Sequence, residues 1–155
     1  MIELRPMNPE QVELYIAICA DEYADSCVQS GYWKPEHAKE RALTYVNSLL
    51  PSGISTPNHY LFSIVYNEQE IGAIWFCIHD QQGIRSAWIF HIEIEQNVRR
   101  QGFGKMAIAE LEQFVTRFGV ESIGLHVFAH NREAQALYNS LGFTVPGMNM
   151  IKQLC

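Results

Sequence analysis

No part of this chain constrains its fold more than Val98-Arg99-Arg100-Gln101-Gly102-Phe103-Gly104-Lys105. It follows a β-rich run, Ser86 to Glu95, and opens a segment from about Gly104 in which Ile108, Leu111, Val115 and Phe118 recur at i, i+3, i+7 and i+10, closed by Phe118-Gly119. The order is therefore strand, glycine turn, helix, and Ser122 to Phe128 reads as a further buried strand, which makes the helix a β-α-β crossover. At Gly102 and Gly104 the missing side chains let backbone N–H groups approach an anion at the positive end of the helix, with Arg99, Arg100 and Lys105 alongside. That is a phosphate cradle. In isolation, two glycines that only turn the chain sharply would read the same.

The remaining pattern places this unit in a mixed sheet. Ile2 to Arg5 alternates as a short strand up to Pro6. Asn8 then caps a helix with Pro9 in its first turn and Val12, Ile16 and Cys19 on one face up to about Ser30-Gly31. A second helix follows Lys34-Pro35-Glu36, with Ala38, Ala42, Tyr45, Val46 and Leu49 as its stripe and Pro51-Ser52-Gly53 as its end. Tyr60 to Tyr66 and Ile71 to His79 read as an antiparallel hairpin about Asn67-Glu68-Gln69-Glu70, and Gln81-Gln82-Gly83 turns into the strand before the glycine loop. Asn131 caps a last helix with Ala134, Leu137, Tyr138 and Leu141 on one face, and a final strand region, broken by Pro146-Gly147, follows Phe143. The fold class is α/β in the mixed α+β sense: a mainly antiparallel central sheet, one parallel crossover, and helices on both faces.

A chain of 155 residues with 48% hydrophobic and 18% charged residues makes one domain, 1–155, with a real core. Its 11 basic against 17 acidic residues give a net charge of −6, which argues against a phosphate-tracking surface and hence against nucleic acid as a partner. No apolar run is long enough to span a membrane and Met1 to Pro6 does not begin a secretory signal, so the expected location is cytoplasmic with no membrane partner. Cys19, Cys27, Cys77 and Cys155 show no C-x-x-C pairing and read as reduced thiols, and the six histidines are scattered, so no metal site is expected.

Three ligands fit a glycine loop of this kind. A Walker loop fails, because Arg99 stands five residues before Gly104 and Met106 follows Lys105. A dinucleotide fingerprint matches Gly102, Gly104 and Ala107, yet Gly124-Leu125-His126 stands where its acidic residue belongs; it stays as an alternative. The third is acyl-CoA. Ile89-x-x-Ile92-x-Ile94 followed by Arg99-x-x-Gly102-x-Gly104 resembles the central strand and pyrophosphate loop of the GCN5-related N-acetyltransferases, the GNAT family. Asn131-x-x-Ala134-x-x-Leu137-Tyr138-x-x-x-Gly142-Phe143, after Leu125-His126-Val127, resembles that family's later helix. The resemblance is close from Ile89 to Phe143. It departs at Gln96, where a proline is common, and at Arg100, where glycine often stands.

The resemblance implies acetyl-CoA as cofactor, held by Ile92, Glu93, Ile94, Arg99, Arg100, Gln101, Gly102, Phe103, Gly104, Lys105, Asn131 and Tyr138, and transfer of its acetyl group to a primary amine by direct attack on the thioester. It also lifts Tyr138 from a core tyrosine to the acid that protonates the departing thiolate. An ammonium of pKa ~10.4 must lose a proton to attack, and His126, with an ordinary pKa of ~6.5, is the favoured base. His91, Glu93 and Glu95 share one face of their strand, with Glu93 a second base or a cation anchor. Asn131 caps its helix and also offers its amide to the CoA arm. Tyr15, Tyr23, Tyr32, Trp33 and Tyr45 wall an acceptor pocket or pack a core. The acceptor is a small-molecule or peptide amine, and a homodimer is left open. The alternative of another class is a non-catalytic acyl-CoA-binding module.

Overall fold

The computed structural model describes residues 1–154. Five strands and four helices follow in the order β1 (Ile2–Pro6), α1 (Pro9–Gln29), α2 (Ala38–Leu49), β2 (His59–Tyr66), β3 (Gln69–Gln81), β4 (Ile84–Ile94), α3 (Phe103–Thr116), β5 (Ser122–Leu125) and α4 (Arg132–Ser140). The chain forms two compact units: Met1–Glu13 with Leu50–His126, and Leu14–Leu49 with the segment from Val127 onward.

The first unit holds the sheet, in the order β1-β2-β3-β4-β5, antiparallel throughout except for the parallel pair β4–β5. This is the mixed α+β class with a β-α-β crossover through α3. Both long hairpins turn on left-handed residues, Asn67 and Glu68 in one, Gln82 and Gly83 in the other, the backbone signs that match the twist of paired strands. The core is built by Ile64, Ile74 and Phe76 from the sheet and by Ile108, Leu111 and Val115 from α3, all under 2% exposed. Phe118, expected on the same helical stripe, is 41% exposed because α3 has already ended at Thr116.

In the second unit, α2 buries Ala38, Ala42 and Val46 but leaves Tyr45 exposed. On α1 the buried stripe begins Val12, Tyr15 and Cys19, with Ile16 displaced to its margin. The start of α1 is a reciprocal cap: Gln11 N–H donates to Asn8 Oδ1 at 2.9 Å while Asn8 N–H donates to Gln11 Oε1 at 2.8 Å. Cys19 and Cys27 are buried, Cys77 is half-buried, and all three are free thiols; Cys155 lies outside the described residues.

Two sequence expectations need correction. β5 ends at Leu125 instead of continuing to Phe128, because the carbonyls of Phe128 and Ala129 accept hydrogen bonds from Gln135 Nε2 of α4 at 3.1 and 2.9 Å, which turns that backbone toward α4. His126 is therefore the first residue beyond the strand, not a residue within it. No strand follows Phe143 among the described residues. Pro146 has no N–H to donate to a ladder and Gly147 weakens what remains, so Val145, Met148 and Met150 stay exposed. No helix among the described residues is long and apolar enough to cross a membrane.

Candidate active site

The site begins at an irregularity in β4. Pairing runs Phe76↔Ile89 and then Trp75↔His91, so Phe90 is an extra residue in β4, a β-bulge. Its effect is to exchange the two faces. Ala87 and Ile89 point into the core before the bulge, and Ile92, opposite the fully buried Ile74, does so after it. An aromatic stack holds the bulge in place. The Phe90 ring lies on Trp75 at 4.6 Å and on His59 at 5.5 Å, both nearly parallel, and Trp75 Nε1–H donates to His59 Nδ1 at 3.0 Å. Burial lowers the His59 pKa, in keeping with a neutral imidazole that accepts at Nδ1.

Beyond the bulge β4 loses its parallel neighbour, because β5 pairs with it only from Ser86 to Ile89. Glu95 N–H donates to Ile71 O at 2.8 Å, which makes the odd-numbered residues the ones bonded to β3 and turns the backbone N–H and C=O of Ile92 and Ile94 toward the opposite edge. Arg99 Nε takes one of these groups, donating to Ile94 O at 2.7 Å. Gly72 sets the approach of β3 here: a Cβ on it would overlap the carbonyl oxygen of Glu93.

That edge leads into the glycine loop. Arg100 has φ +67° and Gly102 φ +83°, both left-handed, so the position at which the resemblance expected glycine has the geometry glycine favours, held here by an arginine. Gly102 caps α3 without a side-chain hydrogen bond, and the helical ladder starts with Met106 N–H to Gly102 O at 3.1 Å. The N–H groups of Phe103, Gly104 and Lys105 thus precede the ladder, at the positive end of a helix of 14 residues. A Cβ built on Gly102 meets nothing within 4 Å, so the space beside this glycine is open. Phe103 is buried, its ring 4.8 Å from that of Tyr66; it anchors the loop, and only its backbone is left for a ligand. Arg99, Arg100, Gln101 and Lys105 are exposed.

Of the other residues singled out, Glu93 is half-buried beside His91 on β4, and His126 is exposed at the end of β5. Asn131 caps α4, accepting from Ala134 N–H at 3.2 Å. Tyr138, half-buried on α4, stands edge-on to Phe143 at 5.5 Å, and burial raises its pKa, which keeps the phenol protonated. Within the second unit the aromatic residues cluster: Tyr23 stacks on Tyr45 at 5.2 Å and meets Trp33 edge-on at 5.5 Å, while Tyr15 is simply buried. Arg41 lies over the Trp33 face at 5.3 Å. Ile92, Glu93, Ile94 and the loop 99–105 thus form one continuous stretch of the first unit, and Asn131 and Tyr138 share one helix of the second. His59, Trp75 and Phe90 escape a reading by residue type. Their signal is the adjacent apolar pair Ile89-Phe90, which breaks the alternation of β4.

With one parallel pair in an otherwise antiparallel sheet, the described residues do not form the doubly wound sheet that a dinucleotide site requires. The comparisons point elsewhere. The Acetyltransferase (GNAT) family model matches residues 19–143. The uncharacterized N-acetyltransferase YycN of Bacillus subtilis (strain 168) is 34% identical over 154 residues, covering 99% of each chain. A second uncharacterized N-acetyltransferase of that organism, YdgE, is 28% identical over 153 residues, 98% of each. The crystal structure of YycN from Bacillus subtilis superimposes with a TM-score of 0.94 at 33% identity, over 100% of this chain and 99% of that one. The chain belongs to the GNAT family and is an acetyltransferase.

Proposed function

We propose that the enzyme is an acetyl-CoA-dependent N-acetyltransferase that moves an acetyl group to a primary amine of a small molecule or peptide. The observation that carries this reading is the outward edge at Ile92 and Ile94, which runs into a helix start capped by no side chain, at a glycine with open space beside it. An extended amide-bearing arm can add to that edge as a strand does, and a diphosphate can be met by the N–H groups of Phe103, Gly104 and Lys105 with Arg100 and Lys105 as counter-charges. The family resemblance makes the Asn131 amide a further candidate contact for the CoA arm. Acetyl-CoA, when bound, supplies a thioester carbonyl open to attack and a thiolate as leaving group.

The chain's own groups do the rest. Strand N–H groups at Ile92 and Ile94 stabilise negative charge developing on a carbonyl oxygen, with no metal required. Tyr138 holds its proton through neutral and mildly alkaline pH, the range in which a thiol of pKa ~8.5 leaves as thiolate, and can donate it there. His126 or Glu93 accepts the proton of the incoming ammonium. His126 is favoured because an imidazole is the side chain best suited to take up a proton near neutrality.

Calorimetry with acetyl-CoA and with NAD, followed by a panel of amines monitored for CoA release, tests the reading. Acetyl-CoA binding and amine-dependent CoA release are expected. Binding without release from any amine favours the non-catalytic module, and NAD binding without CoA binding overturns the proposal. In the pH profile of kcat/KM, an ascending limb that disappears in His126→Ala assigns the base, and one that persists there but responds to Glu93→Gln assigns it to the carboxylate.

A further inference from the structure

We propose that this chain forms a two-fold symmetric dimer in which β1 adds to the β1 of a second copy, antiparallel and centred on Leu4. The inference rests on the geometry of one edge and not on the acetyl-transfer reading. β1 is the terminal strand of the sheet. Met7 N–H donates to Leu61 O at 3.0 Å, and with the register Arg5↔Ser63 and Glu3↔Val65 this assigns the odd-numbered residues to the β2 ladder. The backbone groups of Ile2, Leu4 and Pro6 therefore point away from β2, and Pro6 has only a carbonyl to offer.

A register centred on Leu4 suits this inventory. Leu4 exchanges N–H and C=O with Leu4 of the second copy, and each Ile2 N–H meets a Pro6 carbonyl, so the ladder has four bonds and the Ile2 carbonyls, facing a proline without N–H, are left to water. The same register sets Glu3 opposite Arg5 of the second copy, twice, at the positions of closest side-chain approach. Glu3 and Arg5 are about half-exposed and share a face of β1, where they already pair with each other. The neighbouring registers are penalised: centring on residue 3 sets Glu3 against Glu3, and centring on residue 5 sets Arg5 against Arg5.

A groove runs beside β1 at this edge. Its volume is ≈ 450 Å³, and its lining includes Glu110 and Phe114 of α3 and Arg117, the residue that follows the helix. A two-fold axis perpendicular to the sheet keeps both copies of α3 on one side and reverses their directions. The groove of each copy carries Glu110 and Arg117, with the Arg117 guanidinium lying over the Phe114 ring at 5.4 Å. A second copy is thus matched in backbone donors and in strand charges.

Sedimentation of the full chain over a dilution series tests the proposal. Glu3→Arg alone and Arg5→Glu alone make every facing strand charge alike, and each should raise the dimer dissociation constant about 10-fold or more. Mixed in equal amounts, the two variants restore opposite charges across the axis and should re-form a dimer of near wild-type affinity. Neither variant has its internal Glu3–Arg5 pair, so recovery in the mixture reports the interface and not the fold. A wild-type chain that stays monomeric to about 100 µM overturns the proposal. So do single variants that dimerise like wild type, or a mixture that associates no better than its components.

Discussion

Gly102→Ala separates the two roles of that glycine, its backbone and the space beside it. Gly102 has φ +83°, and an L side chain in the left-handed region costs about 1–2 kcal/mol, partly offset because alanine stiffens the unfolded chain by about 0.4–1 kcal/mol. No atom lies within 4 Å of the new Cβ, so steric overlap adds nothing and the net loss should be about 1 kcal/mol. In a chain of 155 residues that lowers Tm by about 2–4 °C. In the proposed cradle, however, the methyl group adds bulk at the residue that immediately precedes the N–H groups of Phe103, Gly104 and Lys105. Losing one charge-assisted hydrogen bond, worth about 1.5–3 kcal/mol, should weaken CoA binding by roughly 10- to 100-fold in calorimetry. Gly83→Ala is the matched control: its φ is +81°, it too has nothing within 4 Å, and it sits in the β3–β4 turn. Both variants should melt alike, and only Gly102→Ala should lose affinity. Equal CoA affinity in the two would refute the cradle, and an unchanged Tm in both would refute the backbone argument.

Three further outcomes are expected. Tyr138→Phe should keep the fold and CoA affinity and lower kcat, since it removes only a proton donor; wild-type turnover across the pH range, measured by CoA release, would return Tyr138 to packing. Gly72→Ala should cost about 1–3 kcal/mol in chemical denaturation, because the new Cβ meets the backbone oxygen of Glu93, which cannot rotate away. His59 has a folded pKa below its ordinary ~6.5, so its share of stability is complete above that value and is lost as pH falls toward the lowered one. His59→Phe should flatten the decline of Tm between about pH 7 and 5, and an unchanged slope would show that protonation of His59 does not govern it.

Where sequence and structure agree, the deciding interactions are local. Asn8-Pro9 caps and starts α1 through bonds to Gln11, three residues away, and the β2–β3 hairpin turns on adjacent residues. The glycine loop was legible because Gly102 adopts a conformation that few other residues take. Where they differ, the deciding partner is distant or depends on register. β5 is shortened by Gln135, a side chain ten residues beyond its end, and no propensity of His126-Val127-Phe128 announces that. The Phe90 bulge needs Trp75 and His59 across the sheet, so only pairing reveals why Ile92 faces inward. The last strand failed for a different reason: a β-rich composition around Pro146-Gly147 cannot supply the N–H that a ladder needs.

The acidic balance of the chain and an anionic ligand are compatible because the proposed recognition depends little on side-chain charge. With a net charge of −6, long-range attraction of a polyphosphate is absent, and Arg99 already directs its Nε to the Ile94 carbonyl. What remains is short-ranged: helix N–H groups before the ladder with the dipole behind them, the neighbouring Arg100 and Lys105, and, fixed in place like the helix start, the strand edge at Ile92 and Ile94. The backbone groups among these are fixed by the fold, so they lose no side-chain entropy on binding and are little screened by salt, unlike a patch of lysines. The same economy explains why a single left-handed glycine matters. When the donors belong to the backbone, the ligand must come within hydrogen-bond distance of the main chain, and the residue that permits this approach becomes as consequential as one that touches the ligand.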